Sequence, residues 1–130
     1  MKALIDTSFL MLCAEAGKDF IGLAEEKIGD RIECYVLKEV LEELEKISKH
    51  PGRRGAAARA ALKLAKRMKI LDLGFPEDLA LDERLLKASK DLGMVLATID
   101  LELIRRARSL KAPLLTVRKD QSIWLEGWIP

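Results

Sequence analysis

The chain has 130 residues, of which 49% are hydrophobic and 34% charged, and its net charge is +2. This length fits one domain, residues 1–130, and this composition excludes a disordered chain. So small a net charge argues neither for nor against a nucleic-acid partner, so that question depends on where the charges lie.

Neither a secretory leader nor a membrane segment is expected. Asp6 interrupts the apolar start of the chain, whereas the core of a signal peptide is uncharged. No segment approaches the ~20 apolar residues that a membrane span needs. Cys13 and Cys34 lack the spacing of zinc ligands, so we expect buried free thiols in a cytoplasmic protein. The absence of asparagine, with Gln121 as the one glutamine, is typical of a thermophile.

Hydrophobic periodicity predicts alternating strands and helices. In chain order, we predict a strand at 3–5, helices at 9–16 and 20–28, a strand at 32–37, helices at 40–47 and 54–68, a strand at 70–73, a helix at 81–92, a strand at 94–97, a helix at 101–110 and a last clear strand at 114–117. This alternation indicates βαβ units and a mostly parallel sheet with helices on both faces.

Four acidic residues occupy informative positions in this pattern. Asp6 follows the first strand, Glu43 lies within a helix, Asp82 opens a later helix, and Asp100 follows another strand. An open parallel sheet gathers its ligand site at the carboxyl ends of its strands. Converging carboxylates repel one another, so a cluster implies a bound divalent metal ion. The sequence therefore predicts metal-dependent cleavage of a phosphodiester.

A simpler interpretation exists for each acid. Asp6, Asp82 and Asp100 are each also typical of a helix N-cap, and only their combination with Glu43 and the sheet topology favours a metal site. The neighbouring acids Glu39, Glu42 and Glu45 are expected on a solvated helix face. Glu102 is either a surface residue or an acid that acts through water.

Other hydrolytic chemistries are poorly supported. His50 is the only histidine, so the chain has no histidine pair for acid–base ribonuclease chemistry without a metal. Ser8 lacks a histidine base and a G-x-S-x-G elbow, and no P-loop is present. A haloacid-type phosphatase needs an aspartate where Ser8 stands, and a receiver domain needs an acidic pair near the first strand.

The chain resembles a PIN domain. The motifs that carry the resemblance are Ile5-Asp6-Thr7-Ser8, Val40-Leu41-Glu42-Glu43-Leu44, Asp82 before Leu85-Leu86, and Ala97-Thr98-Ile99-Asp100, in that order over nearly the whole chain. The segments 9–12, 17–20, 53–59 and 125–127 resemble an archaeal VapC-like group similar to the PIN nuclease of the small-subunit processome. The resemblance implies a three-layer αβα fold with a central, mostly parallel sheet flanked by helices.

The resemblance also implies an endoribonuclease that depends on Mg2+ or Mn2+. Its catalytic and metal-binding acids would be Asp6, Glu43, Asp82 and Asp100, with Glu43 chosen over Glu42 because the family's acid directly precedes a leucine. Asp6 and Asp100 would be the inner ligands, while Glu43 and Asp82 would bind a second ion or hold water. Thr7, Ser8 and Thr98 would orient carboxylates or waters by hydrogen bonds, and Glu102 matches an acidic position of the processome-like group. Cleavage by water would leave a 5′-phosphate and a 3′-hydroxyl.

The basic residues give a second set of expectations. Most are expected on solvated helix surfaces, whereas Arg53, Arg54 and Arg105 would flank the acidic cleft and bind RNA phosphates. Trp124 and Trp128 are expected to pack or to form a subunit contact.

Two questions of function remain open at this point. The resemblance implies a homodimer that acts on RNA, either in ribosomal RNA maturation with pre-ribosomal proteins or as a toxin paired with an antitoxin. The alternative is a non-catalytic RNA-binding or scaffold protein that keeps the PIN fold. The presence of all four acids argues against that alternative.

Overall fold

The computed structural model describes residues 1–127, which contain a six-stranded sheet and six helices. The strands are β1 (Lys2–Ile5), β2 (Glu33–Leu37), β3 (Lys69–Leu71), β4 (Val95–Ala97), β5 (Leu114–Val117) and β6 (Ile123–Glu126). The helices are α1 (Thr7–Ala16), α2 (Phe20–Ile28), α3 (Lys38–Ser48), α4 (Gly52–Ala65), α5 (Leu81–Leu92) and α6 (Leu101–Ser109). The expected packing or subunit contact of Trp128 lies outside the described residues.

The sheet has the order β3-β2-β1-β4-β5-β6. Four of its pairings are parallel and the pairing of β5 with β6 is antiparallel, which confirms the mostly parallel sheet. From β1 the chain builds outward to β3, and then returns to β4 and builds outward in the opposite direction. The strand order therefore reverses between β1 and β4, and in open α/β sheets ligands bind outside the carboxyl ends of the strands at this switch point.

The sequence did not predict β6. Three of its four residues, Ile123, Trp124 and Leu125, are apolar, but the segment is short and only Ile123 is buried. It is a strand because it pairs with β5, with Val117 opposite Ile123 and Leu114 opposite Glu126. So short an apolar segment does not identify a strand by its pattern, and the pairing with β5 decides it.

The core lies where apolar strands meet helices. Residues Ala3, Leu4 and Ile5 of β1 are fully buried, as β1 has neighbours on both sides within the sheet. Helices α1, α3 and α4 pack against one another, whereas α5 contacts β1 and β4, and α6 contacts β5. No helix within residues 1–127 is long and apolar enough to cross a membrane.

Gly55 fixes the approach of α4 to the end of α3. A Cβ at this position would lie 1.7 Å from the backbone carbonyl oxygen of His50, so only glycine fits there without movement of the backbone. This close contact lies at the turn between α3, which carries Glu43, and α4, which carries Arg54, and both residues line the same cavity.

The prediction that Glu39 lies on a solvated face was wrong. Its carboxylate bonds to the Arg84 guanidinium at 2.8 Å, and the two side chains are only 16% and 17% exposed. Arg84 also donates to the backbone carbonyls of Leu79, Pro76 and Glu77. The ion pair therefore ties α3 to α5 and to the loop that leads into α5.

Candidate active site

Asp6 is held rigidly at the carboxyl end of β1, where it is only 6% exposed. Its Oδ1 accepts the backbone N–H of Thr7 at 2.7 Å. Its Oδ2 accepts hydrogen bonds from Ser8 Oγ at 2.8 Å and Thr98 Oγ1 at 2.7 Å. Three donors thus orient a nearly buried carboxylate.

The segment after β4 joins the second strand-end acid to the same network. Thr98 Oγ1 accepts the backbone N–H of Asp100, and Ser8 Oγ accepts that of Ile99, both at 3.1 Å. The Asp100 Oδ1 atom in turn accepts the N–H of Leu103 at 3.0 Å. The two hydroxyls, 3.1 Å apart, connect the Asp6 carboxylate to the turn that carries Asp100.

Asp6 and Asp100 are both helix N-caps, so the capping role that the sequence also allowed is present at these two positions. Asp6 caps α1 and Asp100 caps α6 through their side chains. Asp82 is not a cap, because Ala80 occupies the N-cap position of α5. Capping therefore leaves Asp82 unexplained.

One cavity of about 370 Å³ brings the predicted acids together; we call it the acidic cleft. Its walls include the side chains of Asp6, Glu43, Asp82 and Asp100, which come from four different parts of the chain. Glu43 lines this cavity and Glu42 does not. The cleft lies at the switch point of the sheet, since Asp6 and Asp100 follow β1 and β4.

The electrostatics of the cleft disfavour the charged forms of Asp6 and Asp82. Burial raises the pKa of Asp6, its hydrogen bonds to Thr98, Ser8 and Thr7 oppose that rise, and the charge of Glu43 adds to it. Burial likewise raises the pKa of Asp82, followed by repulsion from Asp100. Each of these carboxylates would be stabilised in its charged form by a nearby cation.

The donor set fits a hard divalent cation that keeps part of its water shell. All four acids supply oxygen atoms, the ligands that Mg2+ and Mn2+ prefer. Among residues 1–127, no three acidic, histidine or cysteine side chains converge into a ready-made metal site. Mg2+ is commonly held by only one or two carboxylates together with waters, so a closed cage is not required. The Thr7 hydroxyl lines the cleft region without a hydrogen-bond partner in the described part of the chain.

The other predicted site residues divide into two groups. Ser8 and Thr98 donate hydrogen bonds from their hydroxyls to the Asp6 carboxylate, whereas Thr7 donates through its backbone N–H and not through its hydroxyl. Glu102 lies outside the cleft wall, is exposed, and contributes only a weak repulsion that raises the pKa of Asp82.

Of the arginines expected to bind RNA, the structure places one in the cleft. Arg54 lines it, while Arg53 is exposed and does not. Arg105 is exposed and paired with Glu102, its Nη2 lying 2.5 Å from the Glu102 Oε1.

Glu15 also lines the cleft, although it was not predicted from the sequence. A signal was present, because Ser8, Leu12 and Glu15 share one face of α1 at helical spacing. A fifth acid therefore adds to the negative charge of the cleft wall.

Comparisons with known proteins agree with this architecture. A family model described as a PIN-like domain matches residues 3–120. Ribonuclease VapC9 of Archaeoglobus fulgidus is 29% identical over 125 residues, which cover 95% of this chain and 88% of that protein.

Two solved structures share the fold. The PIN domain endonuclease Utp24 superposes with a TM-score of 0.77 and 24% identity, over 98% of this chain and 92% of that one. A domain of a functionally unknown protein from Methanocaldococcus jannaschii gives a TM-score of 0.64 and 16% identity, over 90% and 91% of the two chains. These likenesses confirm the predicted αβα fold class. Because the family model spans most of the sequence, we conclude that this chain belongs to the PIN-like domain family.

Proposed function

We propose that this protein is an endoribonuclease that hydrolyses RNA phosphodiester bonds with the help of Mg2+ or Mn2+. The observation that carries the proposal is the acidic cleft, a single cavity at the switch point of the sheet whose lining includes four acids from separate elements. Membership of the PIN-like family and the similarity to a protein named a ribonuclease support a nuclease role.

We assign the four acids of the cleft to metal binding. Asp6 and Asp100 would hold an ion directly, and Glu43 and Asp82 would hold a second ion or ordered waters. When bound, such ions neutralise the phosphoryl oxygens and ease attack by water.

The chain's own residues prepare the cleft for that role. The Ser8 and Thr98 hydroxyls and the Thr7 N–H keep the Asp6 carboxylate in one orientation, with lone-pair capacity remaining on its oxygens. Asp100 Oδ1 is occupied by the N–H of Leu103, which leaves Oδ2 for a ligand. Arg54, on the cleft wall, would bind a phosphate of the substrate.

The biological substrate divides into two possibilities within this proposal. One is a ribosomal RNA precursor bound with pre-ribosomal proteins, and the other is the RNA target of a toxin that an antitoxin restrains. An antitoxin gene beside this one would favour the toxin role, whereas recovery of the protein with pre-ribosomes would favour processing.

A single domain over residues 1–130, a homodimer and a cytoplasmic location are also part of the proposal. The free thiols Cys13 and Cys34 support a reducing compartment.

The experiment that tests the proposal is cleavage of a panel of structured and single-stranded RNAs with Mn2+, Mg2+ or EDTA. Wild type is compared with Asp6→Asn and with Asp19→Asn as a matched control. Asp19 caps α2 much as Asp6 caps α1, but it lies outside the acidic cleft. We expect metal-dependent cleavage that Asp6→Asn abolishes and Asp19→Asn retains.

The products provide a second readout of the same experiment. Hydrolysis by water predicts 5′-phosphate and 3′-hydroxyl ends, so 2′,3′-cyclic phosphate ends would contradict the mechanism. If wild type binds RNA and Mn2+ but cuts no RNA, including ribosomal precursors, the scaffold alternative replaces the nuclease proposal.

A further inference from the structure

A second cavity adjoins the acidic cleft. It has a volume of about 880 Å³ and shares Leu12 and Ile99 with the acidic cleft as lining residues. Its size falls within the ~300–1,000 Å³ of typical ligand sites. We call it the side groove. A strand bound in the acidic cleft could therefore continue into the side groove across these two apolar side chains.

Two of the basic side chains that line the side groove lie at the same edge of the sheet as the acids. Arg118 and Lys119 directly follow β5, which is parallel to β4, so they emerge at the carboxyl edge where Asp6 and Asp100 lie. Neither forms an ion pair with another residue in the described part of the chain. Their charges are thus available for a partner.

The other charged residues of the side groove are already engaged. Arg108 donates two hydrogen bonds to the Glu126 carboxylate, at 2.9 and 2.6 Å. The Asp120 carboxylate accepts the N–H and the hydroxyl of Ser122, at 3.0 and 2.6 Å. Within residues 1–127, the groove cations that form no ion pair are therefore Arg118 and Lys119, while the Arg118 charge also lowers the pKa of the nearby Asp120 and Glu126.

Trp124 holds Arg118 in place. The guanidinium carbon of Arg118 lies 3.4 Å from the centroid of the Trp124 ring, a cation–π stack. A stacked guanidinium presents its N–H groups at its edge, where they can bind a phosphate. We therefore regard Trp124 as a positioning residue for Arg118.

Part of the lining of the side groove is apolar and exposed to solvent. Leu101 comes directly after Asp100 and is 82% exposed, although it is a large apolar residue. With Ile99 and Ile104 it forms an apolar wall beside the cations. Cations for phosphates next to an apolar wall for base faces suit a single strand, because a duplex keeps its base faces stacked inside.

We propose that the side groove binds the single-stranded stretch of RNA that adjoins the cleaved phosphodiester. Arg118 and Lys119 contact its phosphates, and Leu101 contacts a base. The inference rests on the proposed nuclease function and adds to it the path that the strand takes outside the acidic cleft and the residues that line that path.

The test measures binding and cleavage of a fluorescein-labelled single-stranded RNA 12-mer by the full chain. The variants are Arg118→Ala/Lys119→Ala, Trp124→Leu and Leu101→Ser, with Arg31→Ala as the control for charge. Arg31 is exposed and adjoins Met1 at the opposite edge of the sheet. Circular dichroism establishes that each variant folds, and gels establish that the RNA stays intact in the binding assays without metal.

We expect the double variant to bind roughly tenfold more weakly, because it no longer neutralises the phosphates in the side groove. The dependence of log K on log salt should flatten by about 0.7 for each phosphate that the variant leaves without a cation. Its effect on cleavage should fall on KM more than on kcat. Trp124→Leu should reproduce part of this change in salt dependence, which a purely structural residue would not. Leu101→Ser should weaken binding without changing the salt dependence.

Three outcomes would overturn the inference. If wild type cuts RNA but the double variant matches Arg31→Ala in salt dependence and KM, the strand does not use the side groove and the nuclease proposal stands. If Leu101→Ser changes the oligomeric state in analytical ultracentrifugation and leaves RNA binding unchanged, this face is a contact between two copies of the chain. If wild type neither binds nor cuts any RNA, both proposals fail together.

Discussion

Thr98 Oγ1 donates a 2.7 Å hydrogen bond to Asp6 Oδ2, although the two residues are 92 positions apart in the chain. The contact follows from strand register, because Ile5 pairs with Ala97 in the parallel β1–β4 ladder and the next residues are Asp6 and Thr98. The same hydroxyl accepts the N–H of Asp100. One side chain thus positions both strand-end acids of the acidic cleft.

Thr98→Val should therefore impair stability and cleavage together. Valine keeps the shape of threonine but removes the donor to Asp6 and the acceptor for the Asp100 N–H, at a cost of about 1–3 kcal/mol. Urea unfolding and cleavage rates measure the two effects. Thr98→Ser keeps the hydroxyl and should recover most of both; a valine variant as active as wild type would show that this hydroxyl does not position the acids.

Asp82→Asn should stabilise the metal-free protein at neutral pH. The folded state raises the pKa of Asp82 through burial and then through repulsion by Asp100, so its contribution to stability is present below the ordinary pKa of 3.8 and is lost as pH rises through the folded value. The gain at pH 7 should stay below about 1 kcal/mol, because the group is partly solvated. It should vanish near pH 3, where the wild-type carboxyl is neutral.

Thermal unfolding in EDTA from pH 3 to 7 measures whether Asp82→Asn is more stable than wild type at neutral pH and equal to it near pH 3. Asp91→Asn is the control, because it removes an exposed carboxylate of the same helix that pairs with Lys87, and it should bring no gain at neutral pH. Added Mn2+ should reverse the order, since it stabilises the form that binds it more tightly. An Asp82→Asn protein less stable than wild type in EDTA at pH 7 would contradict a raised pKa of Asp82 in the folded state.

Gly55→Ala should destabilise the protein, against the usual helix preference. Alanine is favoured over glycine in a helix by about 1 kcal/mol, but here its Cβ would lie 1.7 Å from the His50 carbonyl oxygen. Forcing α4 away from the end of α3 should cost about 1–3 kcal/mol, the usual range for overpacking, and should displace Arg54 within the cleft wall.

Urea unfolding and the cleavage rate measure that effect. Gly22→Ala in α2 is the control, because its close neighbour is the flexible Asp19 carboxylate and not a backbone atom. If Gly55→Ala unfolds at a higher urea concentration than wild type, the contact of α4 with the end of α3 is loose enough to admit a methyl group.

Arg84→Lys should cost about 2 kcal/mol or more, because a lysine cannot keep the bonds to both Glu39 and the loop carbonyls. Arg105→Lys is the matched control: Arg105 also pairs with one glutamate, but in solvent, where such pairs contribute less than about 1 kcal/mol. Equal midpoints of chemical unfolding for the two variants would show that the partly buried pair adds nothing. Since Asp82 opens the helix that carries Arg84, Arg84→Lys should also lower the cleavage rate.

The local sequence pattern was enough to predict the helices and strands that have strong hydrophobic periodicity. The apolar stretch before Asp6 and the glycine after α5 mark their elements, and both were predicted within one or two residues. β6 was missed because its four residues are too few to show a period and only Ile123 is buried. Glu39 was misassigned because the sequence around it gives no indication of its partner Arg84, which is 45 residues away in the chain.

The sequence by itself determined the alternation of strands and helices and the positions of four acids relative to those elements. These are local properties that follow from chain periodicity. Only the tertiary structure decided that the strand order reverses between β1 and β4, that Thr98 bridges Asp6 and Asp100, and that Arg118 and Lys119 emerge beside the acidic cleft. Those relationships depend on which distant strands pair and in which register, and residue order alone does not specify either.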